Sequence, residues 1–329
     1  MEPADAGAPI VPERAPTAFR SELRVAFIGD QGMGSGARQV LDLIRRERAV
    51  MVVHAGDLSY GAAAPIDWEA QIDQALGPAF PYLVAVGNHD LDDWAGPAGF
   101  AALLAARLAR TPAVSCQGEL GLNTICSFRG LEILLSGVAT YGAEHEAFLE
   151  SELARSGARV RLCVWHKNQH DMQVGTKTDE VGWAAYQVCA RHGAPIFTAH
   201  EHSYARTLTL TALGQRERGH GATGEAALVH VGPGSTFVVV SGLGGHSVRS
   251  RTSDHELDTW WASIHANHYQ QLNGAQTGGL PAVEPGALFI DFNADGDEGK
   301  AHGFFKTVSG QIADDFDIEF APAPARSPQ

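Results

Sequence analysis

The sequence predicts an α/β protein with more than one layer. Short apolar, β-branched runs alternate with helical patterns from Leu23 to Thr198, and from Tyr204 onward strands and loops take over. The third observation is positional. Five strands of the first part, taken in chain order, each end in a residue able to bind a metal ion, on the rim where open α/β sheets carry their sites.

Leu23 to Ile28 is nearly continuous apolar and suits a buried strand. It runs into Gly29-Asp30-Gln31-Gly32, and a helical pattern with Val40, Leu43 and Ile44 on one face follows. Met51 to Val53 is the next strand and ends in Gly56-Asp57-Leu58-Ser59-Tyr60. Pro65 to Leu76 reads as a helix with Pro65 near its start. Leu83 to Val86 is a third strand, ending in Gly87-Asn88-His89-Asp90, and Phe100 to Arg110 is helical. Residues 113 to 136 read as two or three short strands, and His145 to Arg155 as an amphipathic helix. Val160 to Trp165 is a strand that ends in His166; Val181 to His192 is a helix closed by Gly193. Ile196 to Thr198 leads into Ala199-His200-Glu201-His202. Beyond it, Arg206 to Ala212 alternates and Phe237 to Val240 is a strong β run. Leu288 to Phe292 and Gly303 to Val308 flank an Asn-Ala-Asp-Gly turn.

At 329 residues and 44% hydrophobic, the chain is ample for one large core. Neither a repeat nor a linker interrupts residues 21 to 320, so one domain is expected between a disordered leader (1 to 20) and a loose Pro-rich tail (321 to 329). The net charge of -14, without a basic patch, excludes the electrostatic footprint of a nucleic-acid binder. An anionic substrate would need local positive charge, which bound metal could supply. No apolar run approaches the roughly 18 residues of a spanning helix, and residues 1 to 20 lack the apolar core of a signal peptide. Cys116 and Cys126 flank a Gly-containing loop. They read as a hairpin disulfide in an exported protein, or as buried free thiols.

The strand-end groups are Asp30, Asp57 with Tyr60, Asn88, His166, and His200 with His202. They are oxygen and imidazole donors without a thiolate, a mixture suited to iron, manganese or zinc. Seven ligands are too many for one four-coordinate ion and about right for two ions sharing one carboxylate, which can offer an oxygen to each. A deprotonated phenol is a hard anionic ligand that favours Fe(III).

These fragments, Gly-Asp-x-Gly (29–32), Gly-Asp-x-x-Tyr (56–60), Gly-Asn-His-Asp (87–90), the apolar strand ending in His166, and His-x-His (200–202), resemble the calcineurin-like metallophosphoesterases. Within that family the pattern is most similar to the purple acid phosphatases. The resemblance implies a four-layer α/β/β/α sandwich and a binuclear-metal hydrolase of phosphate mono- and/or diesters. By the same resemblance Asp30, Tyr60 and His202 hold the first metal, Fe(III), and Asn88, His166 and His200 hold a second, Fe, Zn or Mn. Asp57 bridges the two, and His89 faces a small phosphate-ester substrate. The metals activate water for in-line attack at phosphorus, and His89 can protonate the leaving group. Most members have Asp-x-His in the first fragment; here the third position is Gly32, and Tyr60 supplies the missing donor. Ala199 stands where the family usually has Gly, and Cys163 where it usually has Val.

Lys167, His170 and Arg206 lie near ligands in sequence and are candidates to contact substrate. His246, after the Gly-rich stretch 242 to 245, is a weaker candidate than plain glycine packing there. Asp291 to Asp297 resembles half a calcium loop, but its flanking strands favour an Asp-Gly hairpin turn. The competing functions are a metal-binding protein without turnover on the same fold, a phosphotriesterase-type activity, and redox chemistry at an iron–tyrosinate centre. An exported location, periplasmic or extracellular, is expected if the Cys116–Cys126 bridge forms.

Overall fold

The structure is a computed structural model that describes residues 23–276 and 283–322. The leader expected at 1 to 20 lies outside the described residues, as does the tail from residue 323.

β1 (Leu23–Ile28), β2 (Met51–His54) and β3 (Tyr82–Val84) run parallel and side by side, with α1 (Ser35–Arg46) and α2 (Pro65–Leu76) as crossovers. β1 is buried on both faces apart from Arg24, which is why it reads as a nearly continuous apolar run. Val25 and Phe27 enter one core with Leu162, Phe197 and Val239. Ala26 and Ile28 enter another with Val40, Leu41 and Ile44 of α1. Pro65 starts α2, where its missing N–H is no loss.

After α3 (Phe100–Ala109), β4 (Val114–Glu119), β5 (Asn123–Phe128) and β6 (Leu131–Ser136) form an antiparallel meander. α4 (His145–Arg155), β7 (Val160–Val164), α5 (Ala184–Arg191) and β8 (Ile196–Thr198) follow, and β6, β7 and β8 are parallel. The rest is β9 (Tyr204–Thr207), β10 (Leu228–Val231), β11 (Val238–Ser241), β12 (Trp261–Ala266), β13 (Tyr269–Leu272), β14 (Ala275–Gln276), β15 (Gly286–Phe292), β16 (Lys300–Thr307) and β17 (Ile312–Phe320).

These strands make two sheets, ordered β10-β17-β16-β15-β1-β2-β3 and β14-β13-β12-β9-β11-β8-β7-β6-β5-β4. One apolar core lies between the sheets. A second packs the first sheet against α1, α2 and α3, and a third packs the other sheet against α4 and α5. The result is the expected four-layer α/β/β/α sandwich. Among the described residues, no helix is long and apolar enough to cross a membrane.

Local differences have local causes. β3 ends at Val84, and beyond it the Ala85 N–H still reaches the His54 carbonyl (2.9 Å) while the Val86 N–H donates to the Gly121 carbonyl (3.0 Å). α5 starts at Ala184 rather than 181 because Asp179 Oδ1 accepts the N–H groups of Val181 (3.1 Å) and Gly182 (2.7 Å), closing a turn there. The stretch 291–297 is a hairpin connection with Asn293 left-handed (φ 61°). Asp291 is committed to Arg24 by two 2.6 Å bonds, away from any calcium loop. Cys116 and Cys126 are directly opposed on β4 and β5 and are bridged. Cys163, standing where the family usually has Val, is also bridged, to Cys189 of α5.

Candidate metal centre

The parallel strands of both sheets deliver their C-terminal ends to one place. Asp30 follows β1, Asp57 follows β2, His166 follows β7, and His200 and His202 follow β8. Asn88 comes from the loop after β3. The first two loops continue the β1–β2 ladder beyond the strands. Asp30, Gln31 and Gly32 donate their N–H groups to the carbonyls of Gly56 (3.0 Å), Asp57 (3.0 Å) and Leu58 (2.9 Å). Gly56 (φ +90°) and Gly87 touch backbone to backbone; a Cβ on Gly87 would lie 2.1 Å from the Asp57 nitrogen. Asp30, Asp57, Tyr60 and His200 all take left-handed backbone conformations (φ 56°, 62°, 57° and 65°). Such strain in non-glycine residues persists only where surrounding bonds impose it, and it gathers at functional sites.

Two groups of donor atoms result. In one, Tyr60 Oη lies 2.7 Å from Asp30 Oδ1 and 2.9 Å from His202 Nε2, and the last two are 3.3 Å apart. In the other, His166 Nε2 lies 3.1 Å from Asn88 Oδ1, 3.1 Å from His200 Nδ1 and 3.2 Å from Asp57 Oδ2. Asp57, His166 and His200 form a metal-ligand cluster with ligand atoms within 4.8 Å of one another, all buried.

This donor set fits a cation. His166 Nδ1–H donates to the Ala55 carbonyl (2.7 Å), and His200 Nε2–H donates to Glu180 Oε2 (2.8 Å). Each bond turns the other ring nitrogen inward as a lone pair. Two imidazole lone pairs, an amide oxygen and a carboxylate then converge, an arrangement that repels itself unless a proton or cation sits among them.

The electrostatics agree. Burial disfavours a charged His166, but Asp57 and its hydrogen bond outweigh this and push the imidazole up to about 9. Burial also opposes ionisation of Asp57, yet the charge of His166 holds it well below the usual carboxylate range. His200 is pushed down to about 4 by burial and by the neighbouring His166 charge. Burial, then Asp30 and Asp57, raise Tyr60 far above an ordinary phenol. Metal binding at these groups therefore has to displace protons.

Further residues fix the ligands. Asp90 accepts from the N–H groups of Leu58 (2.7 Å), Gly87 (2.7 Å) and Asp57 (3.0 Å), tying two ligand loops together. The His89 N–H donates to Asp57 Oδ1 (2.9 Å), and the His200 N–H to Asp30 Oδ2 (2.8 Å). Ser247 meets His202 Nδ1 (2.5 Å). Asp90 stood in a quoted fragment without a role. Glu180 and Ser247 carried no sequence signal, because they lie 20 and 45 positions from the histidines they hold.

His89 is exposed beside the ligands, its ring 4.6 Å from that of Tyr60. Lys167 is tied to Glu180 (2.7 Å), the carboxylate that also holds His200. His170 bonds the Lys177 carbonyl (2.9 Å) and packs on His255. Arg206 is not a substrate contact. It is fully buried, paired with Asp314 at 2.6 and 2.8 Å, and lies over the Phe316 ring at 3.9 Å. His246, read above as glycine packing, stacks on Tyr60 at the site.

The calcineurin-like phosphoesterase family model matches residues 23–204, which carry every candidate ligand named above. Among solved structures, the chain is similar to "GAP50 the anchor in the inner membrane complex of Plasmodium", with TM-score 0.54 and 10% identity over 92% of this chain and 90% of that one. It is also similar to PhoD, with TM-score 0.52 and 12% identity over 91% of this chain and 69% of that one. At such identities these likenesses concern the fold alone. No curated protein matches the chain. The family match spans more than half of the chain and the buried Asp57–His166–His200 cluster, so the protein belongs to the calcineurin-like phosphoesterase family and is a metal-binding hydrolase of that family.

Proposed function

We propose that the protein is a binuclear-metal hydrolase of phosphate mono- and/or diesters, of the purple acid phosphatase type. Asp30, Asp57, Tyr60 and His202 would hold Fe(III), and Asp57, Asn88, His166 and His200 would hold iron, zinc or manganese. The observation that carries this reading is the meeting of Tyr60 Oη with Asp30 Oδ1 and His202 Nε2, at 2.7 and 2.9 Å. Gly32, two residues after Asp30, has no side chain to contribute. When bound, the ions supply Lewis acidity toward a phosphoryl oxygen and lower the pKa of water.

The chain's own residues do the rest. Asp57 is held in place for both groups by the His89 N–H on one oxygen and His166 on the other. Glu180 fixes the His200 tautomer and draws Lys167 toward the site, where its ammonium favours an anionic ester. His89 faces solvent beside Asn88 and hands a proton to the departing alkoxide or phenoxide oxygen. We also propose that the mature protein is exported, a reading supported by its two disulfides.

The test is visible absorption of iron-loaded protein, wild type against Tyr60→Phe, beside elemental analysis and hydrolysis of an aryl phosphate. A phenolate on Fe(III) absorbs visible light, so the wild type should be coloured, carry two metals per chain and turn over. Tyr60→Phe should lose the band. A colourless iron-loaded wild type, or a band that survives in Tyr60→Phe, would overturn the ferric tyrosinate assignment.

A further inference from the structure

His246 lies outside every ligand set considered above. Its ring is parallel to that of Tyr60, with an interplanar angle of 6° and centroids 3.6 Å apart. It also meets the His202 ring edge-on at 5.5 Å. The backbone brings it there. Gly244 N–H donates to the Gly29 carbonyl (2.9 Å) and His246 N–H to the Asp30 carbonyl (3.0 Å). A Cβ on Gly244 would lie 2.4 Å from Gly29 O, and one on Gly242 would lie 2.1 Å from Glu201 O. The glycines between 242 and 245 therefore let this segment lie directly on the two ligand loops.

The ring is exposed although it is stacked. Burial of His246 itself cannot be what the contact is for; the imidazole covers the half-buried phenol. Gly32 makes room for it. A Cβ built at Gly32 would stand 3.2 Å from His246 Nδ1, and the φ of +68° there already disfavours any side chain.

Resting on the reading of Tyr60 as a metal ligand, we infer that His246 is a positioning residue for that phenolate. It lies on one face of the phenol and fixes the ring plane that aims Oη at Asp30 and His202. The missing side chain at Gly32 and the imidazole at His246 are two halves of one arrangement. Tyrosine serves as the ligand because the space beside it, empty at residue 32, is filled from residue 246. Stacking of this kind is geometric, so another flat ring should serve, and a side chain without a ring should not.

The experiment has two arms. In metal-free protein with labelled tyrosine rings, the Tyr60 NMR signal, assigned through its loss in Tyr60→Phe, should carry the upfield shift of a stacked ring. His246→Ala should cut that shift back to what the neighbouring His89 ring contributes, and His246→Phe should keep it. Gly32→Ala, whose Cβ would stand 3.2 Å from His246 Nδ1, should reduce it to a smaller extent, and in the double variant Gly32→Ala/His246→Ala the first change should add nothing, as expected for residues acting as a unit. In iron-loaded protein, His246→Ala should weaken iron binding about 10- to 100-fold in competition with a chelator, the usual cost of losing an outer partner of a ligand. It should also move the tyrosinate band, and His246→Phe should restore both.

An unmoved Tyr60 signal in His246→Ala overturns the inference, whatever the iron arm gives. A moved signal with unchanged iron affinity and band overturns the positioning role. If Phe fails to restore iron binding, the imidazole acts through its nitrogens and the stacking account is wrong. A stacked Tyr60 in a wild type with no Tyr60-dependent band upholds the stack and overturns the ferric reading instead.

Discussion

In the proposed function, His89 and Glu180 separate two duties at the residue scale, chemistry and the holding of ligands. The His89 N–H to Asp57 belongs to the backbone and survives substitution of the side chain. His89→Ala should therefore keep its metal by elemental analysis while turnover falls by roughly 10²–10⁴, the range for a lost acid–base group. Wild-type turnover in that variant would remove His89 from the chemistry. Glu180 acts through His200, whose outer nitrogen it holds at 2.8 Å. Glu180→Gln keeps the shape and loses the charge, and should weaken metal binding about 10- to 100-fold in chelator competition. Unchanged affinity would mean that Glu180 serves only to restrain Lys167. The two residues also mark what the sequence makes legible. His89 stands beside a ligand in a recognisable fragment, whereas Glu180 reaches its histidine across a loop whose path no spacing rule gives.

Arg206 shows the same limit at the scale of elements. Its place after the His-x-His fragment suggests a substrate contact, but residue alternation turns it inward from β9, between the sheets. There its guanidinium meets Asp314 of β17, which also accepts from Tyr204 (2.6 Å) and Ser263 (2.6 Å). The pair thus joins the two sheets through a buried charge. Arg206→Met leaves that carboxylate without its cation and should cost about 3–5 kcal/mol in urea unfolding, whereas Arg206→Met with Asp314→Leu should recover much of the loss. A single variant as stable as wild type would show that the clamp contributes nothing. Most strands and helices before Tyr204 are legible because they carry an apolar run or a stripe with its own punctuation, the polar β4 excepted. Several later strands are not. β12 mixes Trp261, Ser263 and His265 in one fully buried run, and β17 interleaves apolar residues with Asp315, Asp317 and Glu319. Their burial depends on partners distant in sequence.

For the molecule as a whole, the candidate site is legible because both sheets point their parallel strand ends at one spot, so the candidate ligands fall in chain order after apolar runs. The left-handed turns at Asp30, Asp57, Tyr60 and His200 leave no such trace, since packing rather than local preference imposes them. Packing between the sheets also sets how the fold answers acid. His265 of β12 is buried there beside Phe305, with ring centroids 5.7 Å apart. Burial pushes it down to about 4, against a partial opposing pull from Glu284. An unfolded chain binds this proton at an ordinary pKa of about 6.5. Between the two values the unfolded state holds more protons than the folded one, so stability is full above about 6.5 and is lost as the pH falls toward 4. At pH ~4.5 the loss from this one group should be about 2–3 kcal/mol, since each pKa unit is worth about 1.4 kcal/mol. His265→Gln removes the titration, whatever it costs in packing at neutral pH. Urea unfolding of both proteins at pH ~7.5 and ~4.5 should show the wild type losing about 2–3 kcal/mol more than the variant on acidification. Equal losses in the two proteins would mean that His265 does not stay neutral in the fold, and that its acid sensitivity arises at other groups.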